Sequence, residues 1–251
     1  MHSIDKAARI AGAVYLVGII VGPFSLIYVP NVLFVTGNAA ATASNILTHE
    51  ALFRLAIAGD LLNGLIGLFV SLALYRLFRG VNQNLALLVV ILGGLIPAVI
   101  FFINSLNWAA ALILVHPDQF LTVFTRLQQY ALAMVFLRLH SQGNVVNELF
   151  WGLWLFPFGA LVMRSGFLPR LLGVWLIVGG FAYVIFSLTG LLLPQYSGAV
   201  FAISQPAFLG EVAIVLWLLI KGANVADPPH PQHGNEHGHG TIESRTKITA
   251  L

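Results

Sequence analysis

Three carboxylates, Asp60, Glu148 and Glu211, sit inside long apolar runs, and Arg54 precedes Asp60 by six residues in one of them. An ionisable side chain at the centre of a membrane span costs roughly 2.5 to 3.5 kcal/mol, so each needs a partner or a task. At 1.5 Å per residue, Glu211 falls roughly 15 Å into its run, near the midplane. Asp60 falls about 12 Å into its own run, and Glu148 about one turn into another. Three amides accompany them. Asp60 and Asn63 are three residues apart, as are Asn104 and Asn107, so each pair shares a helix face. Arg54 and Asp60 differ by about 240° of rotation and are not partners within one helix. Arg54 must turn to Glu50, one turn away, or across to Glu148 or Glu211. The set Arg54, Asp60, Asn63, Asn104, Asn107, Glu148 and Glu211 is therefore expected to form a ligand site. Arg54 would hold an anionic group, and the acids would balance it or carry protons.

A second constellation, His49, Glu50, His116, Asp118 and His140, is expected at the outer mouth of the spans. Three imidazoles and a carboxylate could hold Zn²⁺ with a position open for water, as a membrane-embedded hydrolase would require. These residues come from three separate segments with no HExxH or comparable spacing, so they are assigned no metal. The absence of cysteine removes thiol catalysis and thiolate metal sites. Neither a GxSxG nor a P-loop occurs, which leaves serine hydrolysis and nucleotide-driven pumping without residues. Catalytic residues and cofactor stay unassigned. Aromatic residues within spans, among them Trp108, Trp151, Trp154, Tyr183 and Trp217, suit packing or the passive binding of lipid or an apolar ligand.

The elements that position these groups follow from composition. Of 251 residues, 59% are apolar and 8% charged, against about a quarter charged in soluble domains. Mean hydropathy is +0.90, and the apolar residues form runs of span length. The solvent for most of the chain is lipid, which excludes a soluble enzyme with one anchor, a nucleic-acid-binding module and a secreted disulfide scaffold. The fold class is all-α, a polytopic membrane helix bundle. Six spans are expected, at 10–29, 52–75, 85–115, 145–163, 168–193 and 201–220. Segment 120–140 carries Arg126, Gln128, Gln129 and Arg138 and reads as an extra amphipathic or re-entrant helix. Six spans place Lys6, Arg9, Arg76, Arg79, Arg164, Arg170 and Lys221 at one face, leaving Arg54, Arg126 and Arg138 at the other. By the positive-inside rule both ends of residues 1–223 face the cytoplasm. A seventh span would divide the charges evenly.

Lys6 and Arg9 before an apolar core resemble a secretory signal, but no small-residue cleavage site follows it, so an uncleaved span is expected. Polar residues crowd the outer halves of the spans while the inner halves are nearly featureless. Hydrogen-bonding atoms cannot face hydrocarbon, so a shared polar cavity opening outward is expected. Residues 224–251, with His230, His233, His237 and His239, have no apolar period and read as a disordered, His-rich cytoplasmic tail. The partners indicated are membrane lipid and a small-molecule ligand, without nucleic acid, and an oligomer stays open. No internal repeat of the kind common in secondary transporters is visible.

The phrases DKAARIAGAVYLV, ILTHEALFRLAIAGDLL, RSGFLPRLLGVWLIVGGFAYVI and GEVAIVLWLLIKG occur in that order between Asp5 and Gly222. Together they resemble an uncharacterised family of bacterial multi-pass membrane proteins known only as a domain of unknown function. The resemblance implies an inner-membrane protein with cytoplasmic termini and brings no activity with it. Binding or transfer of a small polar or amphiphilic molecule in the outward cavity is the function expected from the residues. The alternatives are a metal-dependent hydrolase using the outer histidines, and a structural or regulatory protein whose charges serve assembly.

Overall fold

The computed structural model describes residues 3–223 and is helical throughout, apart from short connections. Ten α-helices follow one another: α1 (Ser3–Pro23), α2 (Val29–Leu33), α3 (Ala39–Thr48), α4 (Glu50–Phe78), α5 (Gln83–Val89), α6 (Ile96–Val115), α7 (Arg126–Leu153), α8 (Leu155–Ser165), α9 (Arg170–Leu192) and α10 (Ser197–Ile220). They group into six segments long and apolar enough to cross a membrane. The first joins α1 and α2, the third α5 and α6, and the fourth α7 and α8; α4, α9 and α10 complete the set.

Prolines explain where the compound spans change pitch. Five-residue and six-residue π segments, Phe24–Tyr28 and Val90–Leu95, end just before Pro30 and Pro97. Proline lacks the N–H that would bond four residues back, and its ring presses on that carbonyl. The backbone widens instead, with Val29 N–H donating to Phe24 O and Ile96 N–H to Ile91 O, each five residues back. Pro157 acts similarly on Leu153, and α7 gives way to α8 at Trp154.

Segment 120–140 is not a helix of its own. After a 3-10 turn at Gln119–Leu121, α7 starts at Arg126 and runs without interruption through His140 to Leu153. With α8 it makes a 40-residue span, roughly 60 Å of axis, twice the hydrocarbon thickness. The polar residues that set this stretch apart in sequence are occupied at its start. Thr125 and Gln128 form a capping box. Buried Gln129 donates to Leu121 O and Phe124 O, while Arg126 bonds Gln129 Oε1 and His116 O. The short helix outside the spans is α3, capped by Asn38, with Thr42, Ala43 and Ile46 buried against the neighbouring helices. The six-span count therefore holds, with the fourth span begun some twenty residues earlier than 145–163.

The spans pack in chain order as a closed ring: α1 on α4, α4 on α6, α6 on α7, α7 and α8 on α9, α9 on α10, and α10 back on α1. Glycine sets the closest approach. A Cβ on Gly152 would stand 2.7 Å from Gly180 O, and one on Gly159 would stand 2.6 Å from Gly173 O. The two pairs run antiparallel along the α7–α8 and α9 contact, the small-residue packing available to helices in lipid. Arg9 closes the ring at one end by donating to Leu219 O at 2.8 Å.

Two apolar cores lie along the ring axis. One gathers Tyr15, Val70, Phe78, Phe158, Leu176 and Leu218 toward the basic end. The other gathers Leu33, Ile46, Phe53, Trp108, Val115 and Leu137 toward the opposite end. Between them lies a layer of buried Ser25, Asp60, Asn63, Asn104, Ser105, His140, Asn147 and Ser187. Buried Thr42, Ser71 and Gln129 lie outside this layer.

Candidate functional site

A cavity of about 200 Å³ lies on the ring axis, and every span contributes to its wall. Tyr15 comes from α1, Asn63 from α4, Phe101 from α6, Trp151 from α7, Tyr183 from α9 and Glu211 from α10. Trp154, at the α7–α8 joint, completes the aromatic part. Its space exists because Gly18, Gly22, Gly67 and Gly93 present no side chain to it. A Cβ at Gly22 would meet nothing within 4 Å, and one at Gly67 only Gly93 O at 3.7 Å. Gly93 is different, for a Cβ there would lie 2.6 Å from Cδ2 of Trp154. The rings support one another: Tyr15 and Trp154 have centroids 5.7 Å apart, Phe101 and Trp151 6.0 Å, and Trp151 and Tyr183 6.3 Å.

The hydroxyl of Tyr15 donates to Oε2 of Glu211 across the junction of the first and last spans. Among the described residues, no Lys, Arg or His forms an ion pair with Glu211. Asn63 donates to Ser25 Oγ at 3.0 Å, which leaves its own carbonyl oxygen free for other contacts.

Asp60 and Asn104 belong to a second, sealed arrangement beside the cavity. His140 Nε2 lies 2.6 Å from Asp60 Oδ2, with side-chain exposures of 3% and 0%. An ionised Asp60 only accepts, and the contact then takes the Nε2–H tautomer of His140. Asn104 Nδ2 donates to Asn144 Oδ1 at 2.8 Å and to His140 O at 3.2 Å. Asn144 Nδ2 stands 3.4 Å from His140 Nδ1. With the amides so oriented, donors run one way from Asn104 through Asn144 and His140 to Asp60. The indole of Trp108 covers the imidazole at 3.8 Å between centroids and 16° between planes.

Arg54 joins neither arrangement. Its Nε pairs with Glu50 Oε1 at 2.6 Å, the nearer of the partners its position allows, and 61% of the side chain is exposed. His116 Nε2 lies 3.2 Å from the same carboxylate. Arg54, His116 and Asp118 line a separate hollow of about 530 Å³ at that end of the ring. Asn107 is partly buried on α6, and Glu148 keeps one carboxylate oxygen buried without a hydrogen bond. The seven expected ligand residues thus occupy distinct places rather than one hollow, with Asn63 and Glu211 alone lining the axial cavity. Helix rotation explains the division. Residues at one depth on six helices face one another only where their azimuths agree, and Arg54 is turned about 240° from Asp60.

The outer histidine constellation is likewise not assembled. His140 is buried against Asp60, whereas His116 pairs with Glu50 and His49 Nδ1 contacts Asn45 O at 3.2 Å. Among the described residues, no group of three or more His, Asp or Glu could hold a metal ion. The histidines of the tail lie outside the described residues. Sequence reasoning placed His140 at the outer mouth because segment 120–140 read as a surface helix. It also passed over Tyr15, whose position in the first span gives no sign of a carboxylate nearly two hundred residues away.

A ring of six apolar spans defines an integral membrane protein of the helical-bundle class. The chain belongs to the family described as a domain of unknown function (DUF4386), whose model matches residues 10–222. An uncharacterized protein of Archaeoglobus fulgidus is 28% identical over 172 residues, covering 68% of this chain and 86% of that protein. No solved structure matches the chain.

Proposed function

We propose that the protein binds a small molecule in the axial cavity, within a membrane whose cytoplasmic side meets the basic end of the ring. The observation that carries this reading is that all six spans converge on one hollow containing a buried carboxylate. Helices that only needed to pack would close around apolar side chains, as they do in the core around Phe53 and Trp108. A dry cavity of about 150 Å³ accommodates benzene, so about 200 Å³ suits a ligand of similar or slightly larger size. The site favours an amphiphilic molecule, since aromatic and aliphatic side chains together supply most of the wall and Glu211 and Asn63 supply polar contacts. The orientation rests on the seven basic residues Lys6, Arg9, Arg76, Arg79, Arg164, Arg170 and Lys221 at one end of the ring.

The test is mass spectrometry of small molecules retained by protein extracted in native lipid, comparing wild type with Gly67→Leu. The substitution adds side-chain volume where a Cβ has room, so the fold is retained while the hollow fills. A compound held by wild type and lost from the variant is expected. Identical small-molecule profiles in two equally stable proteins would leave assembly as the role of the buried charges.

A further inference from the structure

Among the described residues, Glu211 is the only carboxylate on the wall of the axial cavity, and no Lys, Arg or His lies on that wall. Its polar partner is the Tyr15 hydroxyl, a neutral donor. Carboxylates taken out of water are stable when a positive charge accompanies them, and the described residues supply none on this wall. Five aromatic rings, those of Tyr15, Phe101, Trp151, Trp154 and Tyr183, border the same space. Aromatic faces carry negative electrostatic potential and attract cations within about 6 Å, most strongly where water is excluded. Each feature alone has a simpler reading, since rings pack and acids join helices. Their coincidence around one hollow that every span helps to line selects a charge as well as a size.

We propose that the ligand of the axial cavity is a small organic cation, a substituted ammonium whose apolar groups meet the rings and whose charge is balanced by Glu211. This deepens the small-molecule reading and rests on it. Tyr15 acts as a positioning residue, because its hydroxyl fixes Glu211 Oε2 from the neighbouring span. An anionic ligand is excluded from such a wall by repulsion from the carboxylate. A neutral ligand of the same shape would leave the charge unbalanced.

The experiment compares choline with dimethylbutanol, its uncharged carbon isostere, by isothermal titration and thermal stabilisation of the full chain in detergent. Choline is expected to bind wild type about tenfold or more tighter than the isostere. Glu211→Gln is expected to abolish that preference, and Tyr15→Phe to reduce it while keeping the sign. The wild-type comparison requires no variant, so a folding defect in Glu211→Gln leaves the proposal exposed. Equal affinity for the two probes in wild type would overturn the cation while keeping a small-molecule site. Binding of neither probe at millimolar concentration, together with an unchanged small-molecule profile in Gly67→Leu, would overturn both readings.

Discussion

Asp60 and His140 form a tightly enclosed polar contact, and its energetics follow from that enclosure. Leaving one partner of a buried hydrogen bond unsatisfied costs about 1 to 3 kcal/mol, and more where the stranded group is charged, because it loses its compensation without regaining water. His140→Ala and Asp60→Ala are each expected to lower unfolding stability by about that amount. The double variant should lose clearly less than the sum, and a double-mutant cycle in detergent measures the difference. Full additivity would mean that the contact contributes nothing of its own. The acids at Asp60 and Glu211 were both legible as residues needing partners, because hydropathy exposes any charge within an apolar run. Their partners were not legible, since Tyr15 and His140 each come from a distant helix whose rotation only packing fixes.

At the scale of the element, glycine separates contact from cavity. Gly152→Ala would drive a Cβ to 2.7 Å from Gly180 O, where backbone must shift. Overpacking of that kind costs about 1 to 3 kcal/mol. Gly22→Ala meets nothing within 4 Å and is expected to leave the melting temperature nearly unchanged or to raise it slightly. Equal destabilisation by the two substitutions would contradict the packing of α9 against the α7–α8 joint. Thr125→Ala removes the capping box of α7 and should cost about 1 kcal/mol. Gly64, Gly179 and Gly180 each approach a neighbouring helix closely, whereas a Cβ at Gly67 would meet only Gly93 O at 3.7 Å. The run from Arg126 to His140 was harder to read. Its charges and amides weaken the apolar signal, yet they cap the helix start or face outward, so α7 continues undisturbed beneath them.

The whole molecule is held by closure of the ring, which brings α1 beside α10 and seats Arg9 on Leu219 O. An even number of spans puts Lys6 and Lys221 at the same end. Because the chain has no cysteine, single cysteines can report on this directly. Cysteine introduced at Arg79 should react with a membrane-impermeant maleimide only after permeabilisation, and cysteine at Asp118 should react in intact cells. Reversed labelling would overturn the orientation, and labelling of both from one side would overturn the span count.

Sequence by itself determined the membrane environment, the number of spans and the basic end. Each of these depends on the one-dimensional spacing of apolar and charged residues along helices of fixed rise. Tertiary structure alone decided which polar groups meet. It sent Asp60 to His140 and Tyr15 to Glu211, and it left a hollow where four glycines and five aromatic rings converge. The physical reason is that azimuth and axial offset between helices come from contacts such as Gly152 on Gly180, which involve residues far apart in the chain. Depth in the bilayer can be read from a single helix, whereas a site requires several helices to be rotated toward one another.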